Sequence, residues 1–408
     1  MFRVRAAAPW CPECEWGLDR YEPERRAPEV GWRRLDRSLF RTAYRLTAAQ
    51  YAALAGRPVR RRAWGGARLV LLGAAVLLFV AVVGLLAAGA YLIGNRFPGW
   101  RIGPGALLLL LGLALWPKLG RPDDRSDRIA RDRAPTLFRL IDEVAAAIGA
   151  PAPHVVRVDP WFNAAAGAAG ARRRRSLTLG LAMWAILPPQ QRVALLGHEL
   201  GHFINGDARR GRLTHIPLTT LGALADLLRP RWALTSAGGR AAAGRTARAV
   251  VRTGLGVLRQ PVLAGYLVLV RACLRDAQRA EYLADELATG AAGSEGATGL
   301  ADTLVLRDVL YPLVRRYARR GDPVAGWLRS ADACRAGASR RLPGMRQLSI
   351  RNEVSMSATH PPTGLRARMI ESRPPRTAAV TLSAGDSARI DAELAELYRA
   401  ARRQLAAD

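Results

Sequence analysis

The feature that most limits how this chain can fold is an uncharged apolar run from Leu69 to Ile93. As a helix, a run of this length crosses a bilayer core of about 30 Å. It begins too far from the N-terminus, and runs too long, to be a cleavable signal peptide. We therefore predict a membrane-spanning helix in the first quarter of the chain.

A second apolar run, from Ile102 to Trp116, follows after a short loop. It is short for a membrane span, but Trp100 and Trp116 at its ends are typical of residues at a membrane interface. The two runs together predict a transmembrane helical hairpin with spans at about 69–93 and 102–116.

Basic residues orient this hairpin. Residues 1–68 contain 15 arginines and residues 118–133 are also rich in basic side chains, whereas the connecting loop has only Arg96 and Arg101. Because positive charge accumulates on the cytoplasmic side, both flanks should face the cytoplasm. The prediction is a multi-pass protein of the plasma membrane whose C-terminal domain is cytoplasmic.

The strongest chemical signal is the pattern H-E-x-x-H at His198, Glu199 and His202. On a helix, residues four apart lie on one face, so both imidazoles can bind one tetrahedral zinc ion. Glu199 is next to the first histidine and can take a proton from a water molecule that the metal activates. The pattern predicts one zinc ion per subunit and the chemistry of a metallopeptidase.

A catalytic zinc site usually has a third protein ligand. Between Ala208 and Arg275 the only acidic residue is Asp226, and the next acidic cluster contains Glu281 and Asp285, four apart. We interpret Glu281 as the third ligand and Asp285 as the acceptor that orients a ligating imidazole. The alternative is an exposed helix that carries salt bridges.

These motifs resemble those of the membrane zinc metallopeptidases that include the HtpX-type heat-shock proteases and the CAAX prenyl proteases. The resemblance covers roughly residues 134–370, and the matching segments occur in the family's order. They are Phe162–Ala165, His198–His202 with Asn205–Asp207, Arg279–Asp285, and Thr359–Pro362 with Arg366 and Arg368.

The resemblance implies a gluzincin-like catalytic domain in which His198, His202 and Glu281 bind zinc. It also implies that Glu199 is the general base and that Asp285 supports a histidine.

Two further site predictions come from the same resemblance. Asn163, Ala164 and Ala165 would belong to an edge strand along which an extended substrate pairs through backbone hydrogen bonds. His360 would lie near the cleft and stabilise an oxyanion. The alternative for the segment Thr359–Pro362 is a rigid turn ahead of a helix that starts near Gly364.

HtpX-type proteins have two more membrane helices between the zinc motif and the third ligand. Here the corresponding apolar stretches, Leu213–Leu228 and Gln260–Val270, are each too short to span a bilayer. The sequence leaves three interpretations of these stretches: buried core helices, re-entrant segments or interfacial helices.

The formal net charge is +29, and Lys118 is the only lysine. No nucleic-acid-binding motif accompanies the arginines, so the charge indicates attraction to anionic membrane lipids rather than to DNA or RNA.

Cys11 and Cys14 form a C-x-x-C pair. Half of a zinc ribbon, completed for example by dimerisation to hold a second zinc ion, is one interpretation, and a redox pair and a functionless remnant are others. A reducing cytoplasmic location fits each of them and argues against structural disulfides.

The predicted fold class is a mainly α membrane protein with a small β-sheet, in which a gluzincin-like metallopeptidase domain follows a transmembrane helical hairpin. The predicted segments are 1–67 (Arg-rich cytoplasmic region with C-x-x-C), 68–117 (hairpin), 118–133 (linker), 134–371 (metallopeptidase domain) and 372–408 (linker and C-terminal helix).

The predicted function is zinc-dependent endopeptidase cleavage of membrane or misfolded proteins at the cytoplasmic face, as in quality control. Two alternatives are a CAAX-type protease that processes prenylated proteins and a non-catalytic membrane adaptor with a structural metal site. The sequence predicts no oligomeric state.

Overall fold

The computed structural model describes residues 9–24, 26, 29, 32–59, 66–95, 99–116, 126–169, 174–205, 207–228, 242–358 and 360–407. They form two compact units, drawn from residues 1–63, 122–209 and 277–408 and from residues 64–121 and 210–276.

Helices dominate both units. In chain order, the elements are α1 (Arg33–Leu54), α2 (Gly66–Gly94), α3 (Ile102–Ala114), β1 (Asp127–Ile129), α4 (Pro135–Ile148), β2 (Val155–Asp159), β3 (Ala164–Ala169), β4 (Arg174–Gly180), α5 (Leu181–Trp184), α6 (Pro189–Asn205), α7 (Asp207–Leu227), α8 (Ala242–Val305), α9 (Arg307–Arg319), α10 (Val324–Ala338), a 3₁₀ turn (Ser339–Arg341), α11 (Leu342–Glu353), α12 (Thr363–Glu371), α13 (Ala384–Glu393) and α14 (Ala395–Ala407). The predicted class, mainly helical with a small sheet, is confirmed.

The sheet of the first unit has the strand order β1-β2-β4-β3. The β2 and β4 strands are parallel, with Val156 opposite Leu177, whereas β1 and β3 pair antiparallel at the two edges. Alternate residues of β2 and β4 are fully buried and belong to the same apolar cluster as Leu137, Ile141 and Val144 of α4. This arrangement leaves β3 at an edge of the sheet, next to α6.

Two glycines bring α6 close to α8. A Cβ atom on Gly197 would lie 2.9 Å from the Cα atom of Ala288, and one on Gly201 would lie 3.2 Å from the Cα atom of Ala284. Any side chain at Gly197 would therefore push the two helices apart, since the atom it meets is backbone. The close approach sets the H-E-x-x-H face of α6 against the later part of α8.

The N-terminal arm, defined here as the described residues between 9 and 59, belongs to the same unit. Its Leu54 and Val59 pack in one apolar cluster with Tyr282 and Leu283 of α8 and Met369 of α12. Burying a side chain such as Leu54 contributes about 1.5–3 kcal/mol. The arm thus supports the helix that carries Glu281 from the side opposite α6.

Polar contacts extend this packing along the arm. The Arg26 guanidinium donates a hydrogen bond of 2.6 Å to the carbonyl of Val354 and another to that of Arg351. The backbone N–H of Val59 donates to the Glu286 carboxylate at 2.7 Å, and Gln278 donates to Thr47 at 2.7 Å in a buried contact. The arm is therefore bound through its own hydrogen bonds as well as through apolar contact.

The C-terminal helices close the other side of the unit. Arg192 of α6 is 1% exposed and donates hydrogen bonds to Ser387 at 3.1 Å and to Asp391 at 3.0 Å. Glu393 accepts from the backbone N–H groups of Thr136 and Leu137 at 2.8 and 3.1 Å, which caps α4. These bonds tie residues 384–393 to the helix that carries the histidines.

The apolar helices begin in the second unit, and the later one continues into the first. Among the described residues, two helices are long and apolar enough to span a bilayer, Leu69–Gly94 and Thr253–Val305, while Ile102–Ala114 is shorter. Glycines let α2 and α3 pack closely, because a Cβ atom on Gly89 would lie 2.8 Å from the carbonyl oxygen of Gly105. The predicted first span is therefore a helix of the right length, whereas the hairpin as a membrane element stays a prediction.

The two later apolar stretches lie within longer helices. Leu213–Leu228 falls mostly in α7, and Gln260–Val270 falls in α8, whose apolar region extends beyond that stretch. Arg259 is buried and donates to the carbonyl of Ala225 at 3.0 Å. Arg259 therefore does not end the apolar helix. By length and composition α8 is long enough to span a bilayer, although the stretch Gln260–Val270 alone is not.

Candidate active site

The two histidines of α6 and Glu281 of α8 meet at one point. The Nε2 atom of His198 lies 3.4 Å from Oε2 of Glu281, and Nε2 of His202 lies 3.6 Å from Oε1 of the same carboxylate. The two imidazole rings are 5.0 Å apart and nearly perpendicular, at 89°. One possible ligand atom from each of His198, His202 and Glu281 lies within 4.8 Å of the other two.

These separations suit a zinc ion. Zinc binds imidazole nitrogen and carboxylate oxygen at about 2.0–2.2 Å, so neighbouring ligand atoms of a tetrahedral site are about 3.4 Å apart. The two distances from Glu281 to the imidazoles match this value. Within the described part of the chain the cluster has three ligand residues and no fourth, which is the number that a catalytic zinc site uses while one position stays open.

Asp285 and Arg366 lie behind His198. The Nδ1 atom of His198 is 2.9 Å from Oδ1 of Asp285. Arg366 donates from Nε to Oδ2 of Asp285 at 2.9 Å and from a terminal nitrogen to Oδ1 at 2.6 Å. All three side chains are less than a tenth exposed.

This arrangement selects the tautomer of His198. The Asp285 carboxylate can only accept, so at 2.9 Å the His198 Nδ1 donates to it. The same Arg366 nitrogen is 3.2 Å from Nδ1, but both atoms are then donors, so this longer contact is not a hydrogen bond. The Nε2 lone pair is then free to bind a metal.

The charged groups around His198 shift one another's pKa values. Burial and the charge of Arg366 lower the pKa of the His198 imidazole, whereas its hydrogen bonds to Asp285 and Glu281 outweigh both and raise that pKa to about 10. Burial alone would also lower the pKa of Arg366, but the charge and hydrogen bonds of Asp285 raise it above its ordinary value. The arginine therefore stays charged and holds the carboxylate in place.

Arg366 is the residue whose role the sequence did not predict. It was part of the motif that resembles the metallopeptidases, but nothing in its spacing assigned it to Asp285, which lies 81 residues earlier. Its side chain is 8% exposed, and an arginine that deep in a protein requires a charged partner.

His360 also lies at the cluster. Its Nδ1 atom is 2.6 Å from Oε2 of Glu281, and its side chain is 58% exposed. The preceding Thr359 lies outside the described residues. The helix α12 starts at Thr363, where the Glu353 carboxylate accepts from the backbone N–H at 2.6 Å and from the hydroxyl at 2.8 Å. His360 therefore lies beside the cluster in a segment just ahead of α12, and its role towards an oxyanion stays a prediction.

Glu199 and the predicted substrate strand lie on elements that contact each other. Glu199 is buried on α6, which packs against β3. Asn163 precedes β3, donates to Asp159 at 3.2 Å, and accepts at its carbonyl from the backbone N–H of Gly180 at 2.9 Å. Ala164 and Ala165 begin the edge strand, where Ala165 is exposed. The catalytic and substrate-binding roles of these residues stay predictions.

Cys11 and Cys14 lie in a turn of the N-terminal arm, closed by hydrogen bonds from Cys11 N–H to the Trp16 carbonyl at 3.0 Å and from Glu15 N–H to the Cys11 carbonyl at 2.9 Å. Both thiols are free, and Cys14 is exposed. Backbone N–H groups of Cys14 and Glu13 hold the pKa of the Cys11 thiol below its usual value. Among the described residues, the pair belongs to no group of three or more metal ligands, so the second zinc ion is unsupported.

Comparison with known proteins identifies the family. Residues 131–374 match the model of peptidase family M48. The chain belongs to this family. A protease HtpX homolog from Syntrophobacter fumaroxidans (strain DSM 10017 / MPOB) is 29% identical over 182 residues, which are 44% of this chain and 61% of that protein. The predicted relationship to HtpX-type metallopeptidases is thereby confirmed.

The chain spans about 61% of the length of the curated relative. No solved structure matches the chain. Family M48 membership and the cluster of His198, His202 and Glu281 together support a metallopeptidase.

Proposed function

We propose that this M48 protein is an integral membrane, zinc-dependent endopeptidase that hydrolyses membrane or misfolded proteins at the cytoplasmic face. One observation carries the proposal: two imidazoles and one carboxylate at tetrahedral spacing, with a buried Asp285–Arg366 pair holding the first imidazole. A structural metal site would be closed by four protein ligands, whereas three support catalysis.

The residues of the chain divide the work. Zinc held by His198, His202 and Glu281 would supply Lewis-acid activation of water and of a peptide carbonyl. Glu199 accepts the proton of the attacking water and delivers it to the leaving amine. His360 would donate a hydrogen bond to the developing oxyanion, a role supported by its half-exposed imidazole lying 2.6 Å from the Glu281 carboxylate.

The edge strand supports an endopeptidase rather than an enzyme that reads one side chain. An extended peptide can add to β3 through backbone hydrogen bonds, which hold many sequences equally well. The residues Asn163, Ala164 and Ala165 offer backbone groups and small side chains there, so a broad range of unfolded segments can be accommodated.

Membrane location rests on α2 and on the charge pattern. The apolar residues of α2 are largely exposed, for example Leu77 at 71% and Val80 at 60%. Such a helix is stable in hydrocarbon and costly in water. The arginine-rich flanks favour a cytoplasmic catalytic unit.

The test compares Glu199→Gln with a surface control, Glu143→Gln, in the full-length protein purified in detergent. Glu143 is 52% exposed on α4. We expect the Glu199 variant to keep its zinc and lose cleavage of an unfolded protein substrate by at least about a hundredfold, while the control cleaves normally. If the Glu199 variant cleaved at the wild-type rate and still required zinc, its role as the base would be wrong.

A second comparison addresses the substrate. Membrane proteomes of cells that express the wild type or the Glu199→Gln variant should differ in the abundance of damaged membrane proteins. Accumulation of prenylated proteins instead would favour the processing function.

A further inference from the structure

The N-terminal arm contains a cavity that the peptidase function does not use. It has a volume of about 450 Å³ and is lined by Trp16, Gly17, Asp19, Arg20, Tyr21, Arg37 and Arg41. This volume lies within the range of about 300–1,000 Å³ that is typical of small-molecule sites. Its walls combine guanidinium groups with two aromatic rings.

The described lining of the cavity has a net positive charge, from three arginines and one carboxylate. Arg20, Arg37 and Arg41 are exposed, and none of them forms an ion pair with a carboxylate among the described residues. Asp19 is the only acidic residue among the described residues of the lining. Three guanidinium groups around one opening favour a ligand with phosphate oxygens, because a guanidinium can donate two parallel hydrogen bonds to them.

The arginines continue along the exposed face of α1. That helix carries five arginines and one acidic residue, Asp36, which is buried. Arg37, Arg41 and Arg45 follow at intervals of four and are all exposed, so they lie along one face, while Leu39, Phe40, Ala43 and Leu46 bury the other. The cavity is therefore the concave part of a longer basic surface.

Position in the chain indicates the source of the phosphate. In the sequence, six residues, 60–65, join Val59 at the end of the arm to Gly66, where the apolar helix α2 begins. The segment that directly follows the arm is therefore the one proposed to enter the membrane, and this inference rests on that proposed location. Trp16 is 63% exposed at the cavity, and tryptophan is a side chain that favours the headgroup layer.

We propose that this cavity binds the phosphate headgroup of an anionic phospholipid of the membrane that holds α2. Arg20, Arg37 and Arg41 contact the phosphate oxygens, and Trp16 packs against the glycerol region. Asp19 disfavours a second phosphate, which limits the site to one headgroup. The site lies in the arm, outside the segment that matches family M48.

The test uses the full-length protein in a neutral detergent, with bound lipid counted by native mass spectrometry. The variant Arg20→Gln/Arg37→Gln/Arg41→Gln is compared with Arg316→Gln/Arg319→Gln/Arg320→Gln, which removes the same charge from exposed residues around the end of α9. The probes are a short-chain phosphatidylglycerol, a short-chain phosphatidylcholine, inorganic phosphate and a short single-stranded oligonucleotide. Zinc content and peptidase activity, which should be unchanged in both variants, report on folding and separate this proposal from the peptidase proposal.

We expect the cavity variant to bind phosphatidylglycerol about a hundredfold more weakly than the wild type, from about fivefold per arginine removed. The control should bind like the wild type, and phosphatidylcholine should bind weakly to all three proteins. An equal loss in both variants would show that net charge alone attracts the lipid and would overturn the proposal. Inorganic phosphate or the oligonucleotide binding more tightly than the lipid, with the same dependence on the cavity arginines, would overturn the assignment to a membrane lipid.

Discussion

Replacing Arg366 by glutamine should weaken zinc binding although Arg366 touches no zinc. In the structure Asp285 accepts two hydrogen bonds from Arg366 and one from His198, and all three groups are buried. Removing one partner of a buried ion pair leaves an uncompensated charge and costs about 3–5 kcal/mol of folding stability. Loss of a group that orients a metal ligand typically lowers metal affinity by about 10–100-fold.

The assay is a zinc competition with a chromogenic chelator, performed on the full-length protein. The matched control is Arg368→Gln, two residues along the same helix, whose guanidinium pairs with Glu15 of the N-terminal arm and not with the site. We expect the Arg366 variant to lose zinc affinity by about 10–100-fold and the control to keep it.

A double variant tests whether the pair acts as a unit. Asp285→Asn combined with Arg366→Gln removes both charges, so its loss of stability should be smaller than the sum of the two single losses. Additive losses, or zinc affinity of the Arg366 variant within about twofold of the wild type, would refute the reasoning.

Three further predictions follow from the same contacts. Gly197→Ala places a methyl group 2.9 Å from the Ala288 Cα atom, so we expect about 1–3 kcal/mol lower stability and weaker zinc binding. Thermal unfolding measures the stability and chelator competition measures the zinc affinity. Wild-type values for both would contradict the close approach of α6 and α8. Leu54→Ala removes part of the arm's apolar cluster and should lower the free energy of unfolding by about 2–5 kcal/mol. The control Leu35→Ala, at a less buried position of α1, should lower it less. Equal losses of stability would contradict the packing of Leu54. Because the pKa of His198 is raised to about 10 without metal, a proton competes with zinc throughout the pH range below that value. Zinc affinity should fall as pH falls, with about one proton released on binding near neutral pH, and calorimetry in buffers of different ionisation enthalpy would contradict this if it found no proton release.

Local periodicity explains what the sequence predicted well. His198 and His202 share a helix face because they are four apart, and Glu281 and Asp285 share another for the same reason. The structure places the first three in one cluster and Asp285 beside His198. Helical geometry and side-chain chemistry explain the pairing within each helix, whereas the link between the two helices came from the order of acidic residues along the chain and from the family resemblance.

Contacts between distant segments explain what the sequence missed. Arg26 bonds to the Val354 carbonyl across 328 residues, and Arg192 bonds to Asp391 across 199. Arginines are so numerous in this chain that composition does not distinguish the buried ones from the solvated ones. The support that the N-terminal arm and α13 give to the site therefore became visible only in the fold.

The sequence underestimated the extent of the later apolar helix, α8, for a similar reason. In the sequence, Arg259 and Arg271 bound the apolar stretch Gln260–Val270, which is too short to span a bilayer. In the structure Arg259 is buried and bonds to a carbonyl of α7, so the charge does not end the helix. The length of an uncharged run depends only on where charged residues occur in the sequence, whereas the structure shows which of them are paired.

The central claim is that His198, His202 and Glu281 bind one catalytic zinc ion. X-ray absorption spectroscopy on the full-length protein, with its zinc content determined, tests this most directly. We expect one zinc ion per chain with nitrogen and oxygen ligands at about 2.0–2.2 Å, and loss of that zinc in Glu281→Ala. Sulfur ligands at about 2.3 Å, or full retention of zinc in the Glu281 variant, would contradict it.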